Sequence, residues 1–254
     1  MPLTHPRRDE MPFFDHLEEL RWRLIWSLLA VAVATGAAFL LVMHYDVLGI
    51  LVDPIKPFLH GTKLKYLSPT DPFFITLKLA IIVGLLMAFP VVAYQVWAFL
   101  SPALTPSERK VIIPSLYLGL GLFAMGVGMA YEIVLPMTLR FTMGFQTESL
   151  EQSIVIDQYM DVVVRLLLSF GIVFELPIVI LVLSALGVVT PEFLASKRRH
   201  AIVIITILCS VLTPGDVVTV TLMMMVPLIV LYELSIVLSR MVSRKRLVAA
   251  GAEA

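Results

Sequence analysis

Apolar residues in this chain gather into long runs, and polar residues gather between them. The runs cover residues 24–43, 73–100, 111–135, about 160–189, 201–212 and 217–238. A helix rising 1.5 Å per residue needs about 20 apolar residues to cross roughly 30 Å of hydrocarbon. The pattern therefore predicts six membrane helices. The fifth, with twelve residues, is too short to span, and Thr213-Pro214-Gly215-Asp216 turns it tightly into the sixth. We expect a hairpin that falls short of the far surface, with the bilayer thinned around it.

Local signals add detail. Asp71 before Pro72 reads as an N-cap followed by proline in the first helical turn. Pro90, Pro177 and Pro227 lie inside runs and should bend their helices. Ala124/Gly128 and Gly126/Ala130 are small residues four apart, which permit close helix approach within a bundle. In the loop 44–72, residues 47–52 are apolar and are stopped by Pro54 and Pro57, predicting a short helix at the surface. The loop 138–158 is more polar and should be partly helical.

Composition excludes a soluble protein. Of 254 residues, 59% are apolar and 15% charged, with a mean hydropathy of +0.94, where soluble domains have about 45–50% and about 25%. Nineteen basic and nineteen acidic residues cancel, so no basic excess invites nucleic acid. The charges are nonetheless sorted. Arg7, Arg8, Arg21, Arg23, Arg109, Lys110, Lys197, Arg198, Arg199, Arg240, Arg244, Lys245 and Arg246 fall on one side of the predicted spans. Lys56, Lys63, Lys65 and Arg140 fall on the other, and Lys78 and Arg165 sit just inside helices near it. The positive-inside rule then places both termini in the cytoplasm. The expected organisation is one polytopic all-α domain over 1–254, with an amphipathic cytoplasmic segment at 1–23 and a cytoplasmic tail at 240–254. The N-terminal residues hold no apolar core behind their basic pair, unlike a cleavable signal peptide.

Motifs for soluble enzyme chemistry are absent: there is no glycine-rich phosphate loop, HExxH or GxSxG. Five scattered histidines lack metal-ligand spacing, and Cys209 has no internal partner. No cofactor or metal is expected. Glu175 is the most unusual residue, near the middle of an apolar run, where an acid costs about 2.5–3.5 kcal/mol or more. Pro177 close by frees a backbone carbonyl and adds a polar notch. Glu175 is either a structural acid bonded within the bundle or part of a cavity that receives a ligand or proton.

The second feature is acidic. Phe13, Leu17, Leu20 and Leu24 recur at helical spacing, which would lay that face on the membrane and leave Asp15, Glu18 and Glu19 toward water. Glu108 follows the second run. Two carboxylates from separate segments suit planar guanidinium groups, which they bind in bidentate fashion. Equally, Glu19 can pair with Arg23 four residues on, and Glu108 with Arg109 or Lys110. Two other functions were weighed: a proton-coupled small-molecule transporter relaying through Glu175, which normally shows an internal repeat, and a membrane protease, which here lacks its catalytic pair.

HLEELRWRL before the first span, SPTDPF before the second and YQVWAFLSPALTPSERK after it resemble TatC, the multispanning core of the twin-arginine protein translocase. FGIVFELP in the fourth helix and the LTPGD turn extend the resemblance over nearly the whole chain. It implies a concave, glove-like bundle with short fifth and sixth helices. It further implies a receptor for signal peptides bearing two consecutive arginines, working with single-span subunits of TatA and TatB type in a hetero-oligomer. Such an assembly exports folded proteins across the bacterial cytoplasmic membrane on the proton gradient. By the same resemblance, Glu19, Glu108, Phe99 and Arg21 fall on signal-peptide binding positions and Glu175 on the intramembrane acid. Pro54 and Asp216 fall on structural or partner-contact positions. The sequence departs from the family in Pro-Gly at the turn and in Glu18, where many relatives have an apolar residue. At the start of the sixth helix a threonine would have to supply the polar contact that relatives make with glutamine.

Overall fold

The computed structural model describes residues 13–59, 61–103, 112–144, 153–212 and 218–252, which are almost entirely helical. The first run lies in α1 (Phe13–His44). The short helix expected after it is α2 (Val47–Val52), capped by Asp46, whose carboxylate accepts from the Gly49 N–H at 2.9 Å. The second run is α3 (Asp71–Leu100). The third is split into α4 (Ile112–Met129) and α5 (Leu135–Gly144) by a π-helical turn over Ala130–Val134. The fourth is divided at Glu175 into α6 (Ile156–Phe174) and α7 (Leu176–Ala185), and α8 (Pro191–Ser196) follows. The chain then forms α9 (Arg198–Leu212) and α10 (Val218–Ala252).

Among the described residues five stretches are long and apolar enough to cross a membrane: Asp15–His44, Asp71–Leu100, Pro114–Gly144, Ile156–Ala185 and Met224–Ser243. The 15 residues of α9 rise about 22 Å, less than the roughly 30 Å of hydrocarbon. By contrast α10 has 35 residues, because it continues past the apolar run through the basic stretch 240–246. Of the two helices expected to be short, only α9 is. Residues 213–217 between them, including Asp216, lie outside the described residues.

Two packing surfaces organise the bundle. α1 runs antiparallel along α3, with His16, Glu19, Arg23, Ser27, Ala34, Ala38 and Val42 on its inward stripe. Leu28, Val33 and Leu40 point outward, 61–68% exposed. Only 6% of the apolar window of α1 is buried, against 50% for the α6–α7 stretch. This inside-out arrangement follows from the solvent. Lipid does not drive large apolar side chains inward, so close backbone approach of small residues holds the helices together. A Cβ on Gly84 of α3 would stand 2.5 Å from the Cα of Thr35.

The same geometry corrects the reading of the N-terminal segment. α1 continues unbroken from Phe13 through the first apolar run, so residues 13–24 do not form a separate surface helix. Leu17, Leu20 and Leu24 lie on its exposed side, while Glu19 turns inward toward α3.

The second surface is the crossing of α4 with α6. Gly126 and Gly171 lie there, where added Cβ atoms would come within 2.7 Å of the Phe170 carbonyl and the Phe123 ring respectively. Of the two small-residue pairs noted above, Gly126 and Ala130 are buried, whereas Ala124 and Gly128 are exposed.

At the opposite end from the α1 start, α2 is clamped by two tyrosines. Tyr131 and Tyr159 donate their hydroxyls to the carbonyls of Ile50 and Leu51, each at 2.6 Å. Pro54 opens the 3₁₀ turn Asp53–Phe58, which drives Ile55 fully into the core. Lys65 exchanges backbone hydrogen bonds with Ile154 and Ile156 at 3.0 and 2.9 Å, joining the two loops at this end. Asp71 does not cap α3 as expected. Its carboxylate instead closes the preceding turn, accepting from the N–H groups of Leu67 and Ser68 at 2.8 and 2.9 Å.

Candidate functional site

Because α1 and α3 are antiparallel, the first turns of α1 face the last turns of α3. Three inward residues of α1, one helical turn apart, meet there. Arg23 Nε donates to Glu19 Oε1 at 2.8 Å, and Nη2 donates to the same oxygen. Arg23 Nη1 reaches Gln95 Oε1 of α3 at 3.4 Å. The His16 ring stacks on the Phe99 ring with centroids 4.4 Å apart and planes 16° from parallel. Its Nδ1 lies 4.0 Å from Glu19 Oε2.

The two oxygens of Glu19 are therefore unequal. Oε1 is held by Arg23, whereas Oε2 is buried and has no hydrogen-bond partner among the described residues. Leaving a buried acceptor unmade costs about 1–3 kcal/mol, which an added donor recovers. Arg23 also lines a recess of about 310 Å³, together with Tyr94, Trp97, Ser101, Pro102 and Leu116. A half-engaged carboxylate next to an aromatic wall can take a second planar cation, by hydrogen bonding at its edge and stacking on its face.

The structure thus places His16 against both Glu19 and Phe99. Arg21 is exposed, since two residues along a helix turn a side chain to the opposite side, and it makes none of these contacts. Glu108 lies outside the described residues. Pro54 sits at the other end of the bundle. Neither His16 nor Gln95 was singled out from the sequence for this site. The signal available was the 3–4 spacing of His16, Glu19 and Arg23.

Glu175 is a second, separate position. It stands at the break between α6 and α7, where its N–H donates to the Ile172 carbonyl at 3.1 Å in a tightened turn ahead of the buried Pro177. Its carboxylate lies against α4, with Oε2 3.0 Å from where a Cβ on Gly119 would stand. Oε1 is buried without a hydrogen-bond partner among the described residues. The structural alternative, an acid bonded within the bundle, therefore lacks its bond there. Thr221, near the start of α10, is buried with its hydroxyl likewise unpaired among those residues.

Sequence reasoning passed over three acids within apolar runs. Asp161, with Asp157, accepts from Lys78 Nζ of α3, both at 2.7 Å. Glu233 of α10 binds Arg198 through two bonds, Nε to Oε1 at 2.7 Å and Nη2 to Oε2 at 2.9 Å. Glu132 lies exposed in the π turn. Glu175 is thus not the lone acid of the runs. Among the described residues no three His, Cys, Asp or Glu side chains are placed to hold a metal ion.

Known proteins share this sequence and arrangement. A sequence model of the family described as Sec-independent protein translocase protein (TatC) matches residues 15–227. A TatC of this description from Aquifex aeolicus is 41% identical over 238 residues, covering 93% of this chain and 98% of the relative. One from Escherichia coli K12 is 34% identical over 235 residues, covering 91% and 89%. A crystal structure of the twin arginine translocase receptor TatC in DDM aligns with a TM-score of 0.77 at 41% identity, covering 88% of this chain and 99% of that one. The six-run pattern, the helical bundle and these matches agree, and the chain belongs to the TatC family of Sec-independent protein translocase proteins.

Proposed function

We propose that this chain is the receptor for twin-arginine signal peptides in a Sec-independent translocase that exports folded proteins. The observation that carries the reading is Oε2 of Glu19, buried and without a partner among the described residues beside the His16 ring that stacks on Phe99, while Oε1 is held by Arg23. One signal arginine engages Glu19 and packs near Phe99, and Glu108 takes the other. Arg21 lies on the outward side of the same helix, toward the flanks of a bound peptide. The apolar part of the signal then lies along the bundle toward Glu175.

The sorted basic residues support a chain in the bacterial cytoplasmic membrane with both termini cytoplasmic, so that the Glu19 site faces the cytoplasm. Glu175 and the open hydroxyl of Thr221 give polar contacts inside the membrane for single-span subunits of TatA and TatB type in a hetero-oligomer. Pro54 stiffens the outer loop, and Asp216 belongs to the LTPGD segment that precedes α10 in the sequence. The proton gradient supplies the driving force.

Crosslinking a twin-arginine peptide to membranes carrying the double variant Glu19→Ala, Glu108→Ala tests this. We expect crosslinking to be lost, and undiminished crosslinking overturns the recognition reading.

A further inference from the structure

His16 touches both Phe99 and the free edge of Glu19. Its ring lies flat on Phe99 at 4.4 Å, and Nδ1 faces the buried Oε2, unbonded among the described residues, at 4.0 Å. At that distance neutral imidazole and carboxylate do not hydrogen bond. A small ring movement closes the gap once the imidazole carries charge. Among the described residues no rival cation is free to face that oxygen: Arg23 is committed to Oε1 and to Gln95. Asp15 and Glu18 are exposed on α1, and α3 presents Phe99, the neutral Gln95 and Tyr94.

We propose that His16 is a positioning residue of the arginine site, holding Phe99 by stacking and competing, as imidazolium, for the Glu19 oxygen that the incoming guanidinium needs. Neutral His16 leaves that oxygen open and the aromatic wall in place. Charged His16 fills the place of the ligand. Protonation of the imidazole therefore makes the site release arginine as the cytoplasmic face acidifies. The inference rests on reading Glu19 as an arginine-binding carboxylate.

The test is binding of a fluorescent twin-arginine peptide to the detergent-solubilised full chain from pH 5.5 to 8, above the ordinary range of carboxylate titration. For the unaltered protein, affinity should fall with acidification, approaching about tenfold per pH unit where one proton displaces one ligand. His16→Phe keeps the stack and removes the charge, so it should bind at pH 8 within about threefold of the parent and lose the pH dependence. His16→Gln should also be flat, and weaker throughout because Phe99 loses its stacking partner. A His16→Phe protein that keeps the parental pH profile, with binding still dependent on Glu19, overturns the role of His16 alone. Peptide binding that is unaffected by Glu19→Gln overturns the recognition reading, and this inference with it.

Discussion

Glu19 and Arg23, one helical turn apart on α1, bind through a single carboxylate oxygen, which leaves the other oxygen of Glu19 buried and without a partner among the described residues. A pair serving stability alone would gain by engaging both oxygens. Pairs at this spacing and partial exposure contribute about 0.3–0.5 kcal/mol. We therefore expect Glu19→Gln to shift the thermal unfolding midpoint in detergent by no more than about two degrees, while peptide affinity falls at least about tenfold. A large stability loss with intact binding would assign the residue to the fold.

Gly84 permits the closest approach of α1 to α3. An added methyl there meets the backbone of Thr35, which cannot rotate away. Gly84→Ala should destabilise by about 1–3 kcal/mol, read from thermal unfolding. Gly36→Ala on the facing helix has open space around it and should be neutral or slightly stabilising.

Lys78 ties α3 to α6 by bridging Asp157 and Asp161. Lys78→Met leaves two carboxylates four residues apart on one helix face, which repel. The expected loss is about 1 kcal/mol, given the partial exposure of all three groups. Adding Asp157→Asn and Asp161→Asn should recover most of it, because the repulsion goes with the charges. A triple variant no more stable than Lys78→Met alone would show that the lysine acts only through packing of its stem.

Glu175 should separate fold from function. Its buried Oε1 has no partner among the described residues, so Glu175→Ala removes a desolvated acceptor and should leave stability unchanged or raised. Export of a twin-arginine cargo in cells should nonetheless drop by at least about tenfold, a barrier increase of roughly 1.4 kcal/mol. Normal export by this variant would reduce Glu175 to a tolerated acid.

Orientation is checked by labelling. A membrane-impermeant thiol reagent applied to intact cells should modify Lys63→Cys in the first outer loop and spare Ala249→Cys in the tail, each made with Cys209→Ser. The reverse pattern would invert the topology inferred from the basic residues.

The spans were legible because hydrocarbon demands long apolar helices and little else satisfies that demand. Even α2 could be read, from its bounding prolines. What the sequence hid were relationships across long separations. Asp161 and Glu233 vanish into apolar runs because their partners, Lys78 and Arg198, are 83 and 35 residues away. The inward turn of Glu19 was missed for another reason. Helical spacing of Leu17, Leu20 and Leu24 marks an apolar face, and in water that face would pack inward. In lipid it faces out, and the polar stripe of His16, Glu19 and Arg23 packs on α3. The π turn at Ala130–Val134 carried no local signal that we recognised.

The inside-out packing of α1 also sets which of its positions can vary. Leu28, Val33 and Leu40 answer only to the bilayer, so any of them can be exchanged for another apolar residue of different size or shape. Ala38, fully enclosed against α3, admits nothing larger. Tolerance to substitution along this helix therefore runs opposite to the rule for soluble proteins: the large outward residues are replaceable, and the small residue enclosed against α3 is fixed.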